Sequence, residues 1–353
     1  MMTDRPGPIL DLALGLPARL FGALASFRGY LYDSGTLEIV DAGSPVISIG
    51  NLTAGGTGKT PITSFLASYL SKRELACAIV SRGYGASVEG PALVPINGNA
   101  AEFGDEPTWL AAEHPDVTVV IGAKRPEAIA FLKSGRGEDL AEKFIVLADD
   151  GFQHRRLKRN LDLVILDATE PRWHYRSLPQ GRMRESFDAL KRASFIFISK
   201  TNLAEASQLA WLRDQARAYG KPVIEFAVGL NGFVPLDRNL PNAIPRPLSV
   251  GRVVLVSGIA RPETFEQLIT ESIAGVQVLK HFIFKDHHAF SVSDFESIEV
   301  QALELGAEAI VVTEKDATKL RQWHPELPCY VSRLVAKPLT DLGGFHEAID
   351  RLV

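Results

Sequence analysis

Cysteine is nearly absent from this chain. Cys77 and Cys329 are the only two, they stand 252 positions apart, and no Cys-x-x-Cys pair surrounds either. A disulfide framework and a cysteine-based zinc site are thereby excluded, and a reducing, cytosolic setting is expected. A dominant charge is missing too. Lys plus Arg number 38 against 42 Asp plus Glu, a formal charge of −4, so no global field recruits nucleic acid and no nucleic-acid partner is expected. Internal repeats and low-complexity segments are lacking. So are clean hydrophobic runs. The nearest approach is residues 9–31, ILDLALGLPARLFGALASFRGYL, which Asp11, Pro17, Arg19 and Arg28 interrupt. It falls short of the ~20 apolar residues that a spanning helix needs. A secretory signal is not expected either, because Asp4 and Asp11 dilute the basic start and the apolar pattern runs past any cleavage point.

What is present is ordinary globular text: 353 residues, 46% hydrophobic and 23% charged. At roughly 100–200 residues per domain that suggests two lobes. From Pro17 the first segment has helical period, with Leu20, Leu24, Phe27 and Leu31 in one stripe and Arg19 and Arg28 to either side. Arginines beside such a stripe can snorkel to lipid headgroups. A helix packed on the protein's own core has the same pattern, and the pattern alone leaves both readings open.

After Gly43, short β-branched runs alternate with helical stretches. Strands are expected at 45–50, 76–83, 117–122, 143–149, 161–167 and 193–200, with helices at 60–73, 106–113, 126–133 and 205–219. That alternation predicts an α/β fold with a doubly wound, mostly parallel sheet. Residues 223–250 hold four prolines and no helical period; they read as a connector with a β-ribbon. A second α/β series follows over 252–316. The expected division is an N-terminal amphipathic segment (1–42), a nucleotide-binding lobe (43–222), a linker (223–248) and a smaller α/β lobe (249–353).

The most informative segment is SIGNLTAGGTGKTP (48–61). A strand, a glycine-rich loop and a helix opening at Lys59-Thr60 form the context in which backbone N–H groups cradle phosphates. The cradle would run over Thr53, Ala54, Gly55, Gly56, Thr57 and Gly58. Gly55, Gly56 and Gly58 let the backbone approach the anion, Lys59 would reach the β- and γ-phosphates, and Thr60 would ligate Mg²⁺. The usual motif has Gly where Thr53 stands. The spelling also resembles the loop of membrane-associated switch ATPases, with Ala54 replacing their signature lysine.

KFIVLADDGFQH (143–154) is an apolar strand ending in Asp149 and Asp150, the arrangement that holds Mg²⁺ beside a P-loop nucleotide. Gln153 and His154 follow it and either face the phosphates or close a turn. Phe103-Gly104-Asp105-Glu106-Pro107 places carboxylates before a helix, where Asp105 is either an N-cap or a reacting group. DHHAF (286–290) puts His287 and His288 after a strand. No second ligand cluster has zinc spacing, so a metal is not expected there. A histidine facing Asp105 would make a carboxylate–imidazole proton relay. Segment 151–192 holds ten Lys or Arg against five Asp or Glu. It reads as a solvated face or, through Arg184, as a holder of transferring or substrate phosphate. Arg82, in SRGYG, is a similar candidate.

Together GNLTAGGTGKTP, SRGYG, FGDEP, DDGFQHRRLKRNLDLVILDA, LPQGRMRES, KDHHAF and VVTEKDATKL resemble, in order and spacing, the tetraacyldisaccharide 4′-kinase family of lipid A biosynthesis. The N-terminal helical text is similar to that family's membrane-associated helix. The resemblance spans nearly the whole chain and is most specific at the P-loop and DDGFQHRRL. It implies a P-loop lobe and a smaller α/β lobe joined by a β-ribbon. The implied reaction is transfer of the ATP γ-phosphate to the 4′-hydroxyl of a tetraacylated glucosamine disaccharide 1-phosphate, giving lipid IVA at the cytoplasmic face of the bacterial inner membrane. Asp105 matches the family's proposed base and His287 its assistant. Lys59, Thr60, Asp149 and Asp150 match its nucleotide and magnesium residues. Arg82, Glu106, Gln153, His154, Arg184 and Glu185 match further active-site positions, Glu106 among those near the metal. Arg182 departs from the proline expected in that loop. ATP and Mg²⁺ are the implied cofactors, the lipid and the membrane surface the partners, and no obligate protein partner is evident. The competing expectation is a switch ATPase that phosphorylates no metabolite; a non-catalytic nucleotide-binding module is a third.

Overall fold

The structure, a computed structural model, describes residues 7–136, 140, 142–236, 243–320 and 323–353. Residues 1–6 of the expected N-terminal segment and 237–242 of the expected linker lie outside the described residues. The elements follow in chain order: α1 (Pro8–Asp33), β1 (Val46–Asn51), α2 (Lys59–Ser71), β2 (Cys77–Ser81), β3 (Ala92–Leu93), α3 (Ala100–Phe103), α4 (Asp105–Glu113), β4 (Thr118–Ile121) and α5 (Arg125–Phe131). Next come β5 (Ile145–Asp149), β6 (Leu161–Asp167), β7 (Phe195–Ser199), α6 (Ala206–Arg217), β8 (Val223–Pro235), β9 (Arg252–Ser257) and α7 (Pro262–Ser272). The chain closes with β10 (Gln277–Ile283), α8 (Val292–Glu304), β11 (Ala309–Val312), α9 (Glu314–Ala317), β12 (Cys329–Pro338) and α10 (Gly343–Asp350).

Two compact units interleave along the chain. The first comprises Met1–Lys59, Ala141–Ala227 and Pro338–Val353; the second comprises Thr60–Leu140 and Val228–Lys337. In the first, β1 lies between β5 and β6, β7 follows β6, and the start of β8 follows β7, all parallel. Every residue of β1, β5 and β7 is buried. Apolar runs of that kind belong to parallel strands covered on both faces. Leu52, Phe152, Val164, Ile196, Ile198 and Leu212 form one core cluster of this unit. In the second unit β2 pairs parallel with β4, and the two-residue β3 runs antiparallel to β4. There β9 lies between β10 and β11, and β11 pairs with β12, again all parallel.

Within the stretch expected to hold a β-ribbon, residues 223–235 are one continuous strand whose side chains alternate between buried and less buried, and the prolines begin only at its end. Two features differ from the sequence reading. β12 was not expected, because Ser332, Arg333 and Lys337 break its apolar text. The structure absorbs Arg333 by pairing it with Glu113 at 2.6 Å. Finally, α1 runs 26 residues without a break through Pro17. An 18-residue window within its segment Ile9–Asp33 has a mean hydropathy of 1.4 with 6% of it buried, so by length and composition the helix could cross a membrane.

Candidate active site

In the first unit the glycine-rich loop follows β1 and ends where α2 begins. Asn51, the last residue of β1 and fully buried, ties the loop together. Its Nδ2 donates to the Thr53 carbonyl at 2.6 Å and to Thr57 Oγ1 at 2.7 Å. Residues 182–184 run alongside the loop: the Ala54 N–H donates to the Arg182 carbonyl and the Arg184 N–H to the Leu52 carbonyl, each at 2.7 Å. Behind it, Ser199 Oγ donates to the Thr57 carbonyl at 3.2 Å, while Lys200 pairs with Asp167 at 2.7 Å. Ser199, the last residue of β7, therefore braces the loop. Gly55 and Gly58 adopt φ of +107° and +76°, a region in which a side chain is strained.

The acidic end of β5 meets the same loop. Asp149 is buried and in register with Ile49 of β1. Asp150 receives both ends of the Arg184 guanidinium, at 2.9 and 3.0 Å, and pairs with Lys59 at 3.5 Å. Arg184 also donates to Asn51 Oδ1, an oxygen that Lys59 reaches at 3.4 Å. Two cations thus converge on one carboxylate beside a phosphate-type loop. Gln153 donates its amide to the Asn51 carbonyl at 2.9 Å. The His154 backbone closes the turn after Gly151. Glu185 is engaged by Arg192 at 2.8 Å. Arg182 pairs with Glu170 at 3.9 Å and reaches within 3.3 Å of where a Gly55 Cβ would stand.

Among the described residues no group of three or more His, Cys, Asp or Glu side chains is gathered around a metal-sized point. A magnesium ion carried on nucleotide phosphates and waters takes only one or two protein carboxylates. Asp149 and Asp150, at the end of β5, are of that kind. Thr60 is the second residue of α2.

The second unit holds a separate constellation. Gly104 takes the N-cap position of α4, so Asp105 is the first helical residue rather than the cap. Gly104 has φ of +89°, and a Cβ there would lie 2.8 Å from the Tyr84 carbonyl; only glycine lets FGDEP pack on SRGYG. Asp105 Oδ2 accepts from His287 Nδ1 at 3.1 Å and pairs with Lys319 Nζ at 3.3 Å. The Tyr84 ring lies 5.3 Å from the His287 ring. Burial pushes the Asp105 carboxyl up. The His287 hydrogen bond and the charges of Lys319, Lys315 and His287 outweigh it and hold Asp105 below the ordinary carboxylate range. Arg82 is exposed and, with Tyr84 and Gly122, lines a recess of ≈380 Å³ at the carboxyl ends of β2 and β4. Glu106 is half-buried on the first turn of α4. Asn51, Lys315 and Lys319 had no assigned role in the sequence reading. Asn51 carried a signal, a polar residue closing a buried strand just before the loop.

A glycine-rich loop of this geometry on a mostly parallel α/β sheet places the chain among P-loop nucleotide-dependent proteins. The model of the family described as tetraacyldisaccharide-1-P 4′-kinase matches residues 10–353. A tetraacyldisaccharide 4′-kinase of Anaeromyxobacter dehalogenans is 40% identical over 328 residues, spanning 90% of this chain and 84% of the relative. That of Bdellovibrio bacteriovorus is 38% identical over 306 residues, spanning 86% and 87%. The crystal structure of LpxK from Aquifex aeolicus in complex with ATP is similar over 97% of this chain and 99% of that one, at 26% identity and a TM-score of 0.74. The chain belongs to the tetraacyldisaccharide 4′-kinase family.

Proposed function

We propose that the chain transfers the γ-phosphoryl group of ATP to the 4′-hydroxyl of a tetraacylated glucosamine disaccharide 1-phosphate, yielding ADP and lipid IVA. The observation that carries this reading is the Asp105–His287 hydrogen bond, formed across 182 positions of sequence. A protein that only binds or hydrolyses nucleotide to switch partners has no need of a proton acceptor for a sugar hydroxyl; a kinase does. In this reading the loop from Thr53 to Gly58, through its N–H groups after Ala54 and with Lys59, holds the β- and γ-phosphates. Asp150 and Asn51 hold Arg184 ready for the transferring phosphoryl oxygens, and Asp150 keeps Lys59 extended. Gln153 and His154 border the nucleotide, and Arg82 takes an anionic group. Asp149 and Asp150 would hold Mg²⁺, which neutralises phosphate charge when bound. Asp105 accepts the hydroxyl proton at its carboxylate, and His287 orients it. The expected linear division, with nucleotide chemistry over 43–222 and a second α/β lobe over 249–353, belongs to the same proposal.

The placement we infer is the cytoplasmic face of the inner membrane, with α1 lying in the interface. Leu12, Leu16, Leu20, Leu24 and Phe27 are exposed along one stripe. The opposite side is fastened to its own unit: Asp11 accepts from Arg176 at 3.1 Å and from Gln180 at 3.0 Å, and Arg155 pairs with Asp33 at 2.5 Å. A helix held along its length and apolar on its free face suits an interfacial lie better than a span.

The test is transfer of labelled γ-phosphate from ATP to tetraacyldisaccharide 1-phosphate in detergent micelles, with Lys59→Ala as control. Labelled lipid that disappears in the variant is expected. ATP hydrolysis with no labelled lipid would overturn the kinase reading in favour of a switch ATPase.

A further inference from the structure

Thr313–Lys319, spelled TEKDATK, carries part of the family resemblance, yet the mechanism above gives it no task. It forms α9 with its cap and supplies two cations to the Asp105–His287 pair. Lys319, about one-tenth exposed, lies 3.3 Å from Asp105 Oδ2. It is anchored from behind by Asp316 Oδ1 at 2.8 Å and sits 5.4 Å from the centre of the Phe290 ring. Asp316 is fully buried and accepts from the Gly258 N–H at 2.8 Å and from Thr313 Oγ1 at 2.7 Å. The anchor is therefore part of the packed core and not a surface pair.

On the other flank, Lys315 Nζ lies 3.2 Å from His287 Nε2 and 3.0 Å from Asp286 Oδ1. An ammonium group has donors and no acceptor. Nε2 of His287 must then be the accepting nitrogen, which leaves the ring proton on Nδ1, where it is donated to Asp105 Oδ2. His287 has φ of +61°, and its N–H donates to the Gly258 carbonyl at 3.2 Å. A left-handed backbone at a non-glycine residue persists only where its surroundings hold it.

We propose that Lys315 and Lys319 are the positioning residues of this pair: Lys319 pins Oδ2 of Asp105, and Lys315 occupies Nε2 of His287 and so selects the Nδ1–H tautomer. The catalytic part rests on the reading of Asp105 as the proton acceptor. One consequence is specific. With Nδ1 already protonated, His287 cannot take the proton that Asp105 receives; it serves as the donor that fixes Asp105 in place.

The experiment uses the full chain in detergent micelles with Lys315→Met, Lys315→Arg, Lys319→Met and Lys319→Arg. Two readouts are taken: kcat and KM for ATP in the lipid-labelling assay, and the protonation of each His287 ring nitrogen by long-range ¹H–¹⁵N correlation, assigned with His287→Gln. Wild type is expected to show protonated Nδ1 and bare Nε2, and Lys315→Met a mixture of tautomers. Each Met variant should lose roughly 10- to 100-fold in kcat with KM for ATP changed less than about twofold, the mark of a misplaced reacting group. Each Arg variant should recover most of that loss. An unchanged tautomer in Lys315→Met, or kcat within twofold of wild type in both Met variants, would overturn the proposal. Should Lys319→Met not fold, Lys319→Gln takes its place: a loss of kcat with KM for ATP retained supports pinning, and kcat within twofold of wild type overturns it. Asp105→Asn separates the two readings. Full turnover there removes Asp105 as proton acceptor, and the tautomer measurement then decides the role of Lys315 by itself.

Discussion

Replacing Glu314 by Gln should stabilise the protein above neutral pH and do little near pH 5. Glu314 opens α9, packed near Arg333 at 3.9 Å and accepting the Leu334 N–H at 3.0 Å. Burial pushes its carboxyl up to about 8 from an ordinary 4.5; Arg333 and the Leu334 N–H pull it down, and Glu113 adds to the rise. Between those two values the folded state keeps a proton that the unfolded chain has released. Stability attributable to Glu314 therefore falls as pH rises from 4.5 toward 8, by at most ~1.4 kcal/mol per pH unit. Across the window the loss is on the order of 5 kcal/mol, an upper bound because Arg333 screens part of the charge. The Gln variant keeps an acceptor for Leu334 and leaves Arg333 with Glu113 at 2.6 Å. Urea unfolding of both proteins at pH 5, 6, 7 and 8 reads the difference directly. The variant should gain progressively on wild type, reaching ~2–4 kcal/mol at pH 8. A flat difference, or one that favours wild type as pH rises, would refute the reasoning and mean that Arg333 holds Glu314 ionised.

Further outcomes follow from other sites. Gly104→Ala adds a Cβ 2.8 Å from the Tyr84 carbonyl at a backbone φ of +89°. It should cost ~1–3 kcal/mol of stability and displace Asp105, so lipid labelling falls even where the variant folds. The His114 imidazole is pushed down to about 4 by burial, against a smaller opposing pull from Asp116, and lies 2.8 Å from Ser64 Oγ. Its contribution is present above pH 6.5 and lost as pH falls through 4. Thermal unfolding should show an acid loss of up to ~3 kcal/mol that His114→Gln flattens. Burial pushes the Cys77 thiol up to about 12 and the Cys329 thiol higher still. Neither should react with an aromatic disulfide reagent at pH 8 until denaturant opens the fold.

Much of the fold was legible because parallel strands covered on both faces announce themselves as short apolar runs. β1, β5, β6 and β7 each fall within or next to the expected stretch. β12 was not legible, since the charge of Arg333 is tolerable only opposite Glu113, a residue 220 positions away. β8 falls in the stretch expected to hold a β-ribbon, where the alternation before Pro235 marks a strand. In α1, Pro17 suggested an interruption, yet a single missing N–H on a helix exposed along one side does not end it.

The candidate site divides along the same line. The phosphate loop could be read from sequence because its requirements are local: glycines at positive φ, a lysine at the start of a helix, an acidic pair at the end of a strand. Even so, the sequence did not show that Asn51 would stitch Thr53 to Thr57, or that Arg184 would be held bidentately by Asp150. The proton-transfer group follows the opposite rule. Asp105, His287, Lys315 and Lys319 come from segments with no local pattern linking them, and each alone has an ordinary alternative as a helix start, a turn or a surface charge. What joins them is Asp316, buried without exposure and tied at once to Gly258, Thr313 and Lys319. A buried carboxylate with three partners is costly unless all three are in place. One misplaced partner therefore loosens Lys319, and with it the oxygen of Asp105 that Lys319 and His287 share. Loss at Asp316 should accordingly reach the lipid-labelling rate through Asp105 as well as through stability.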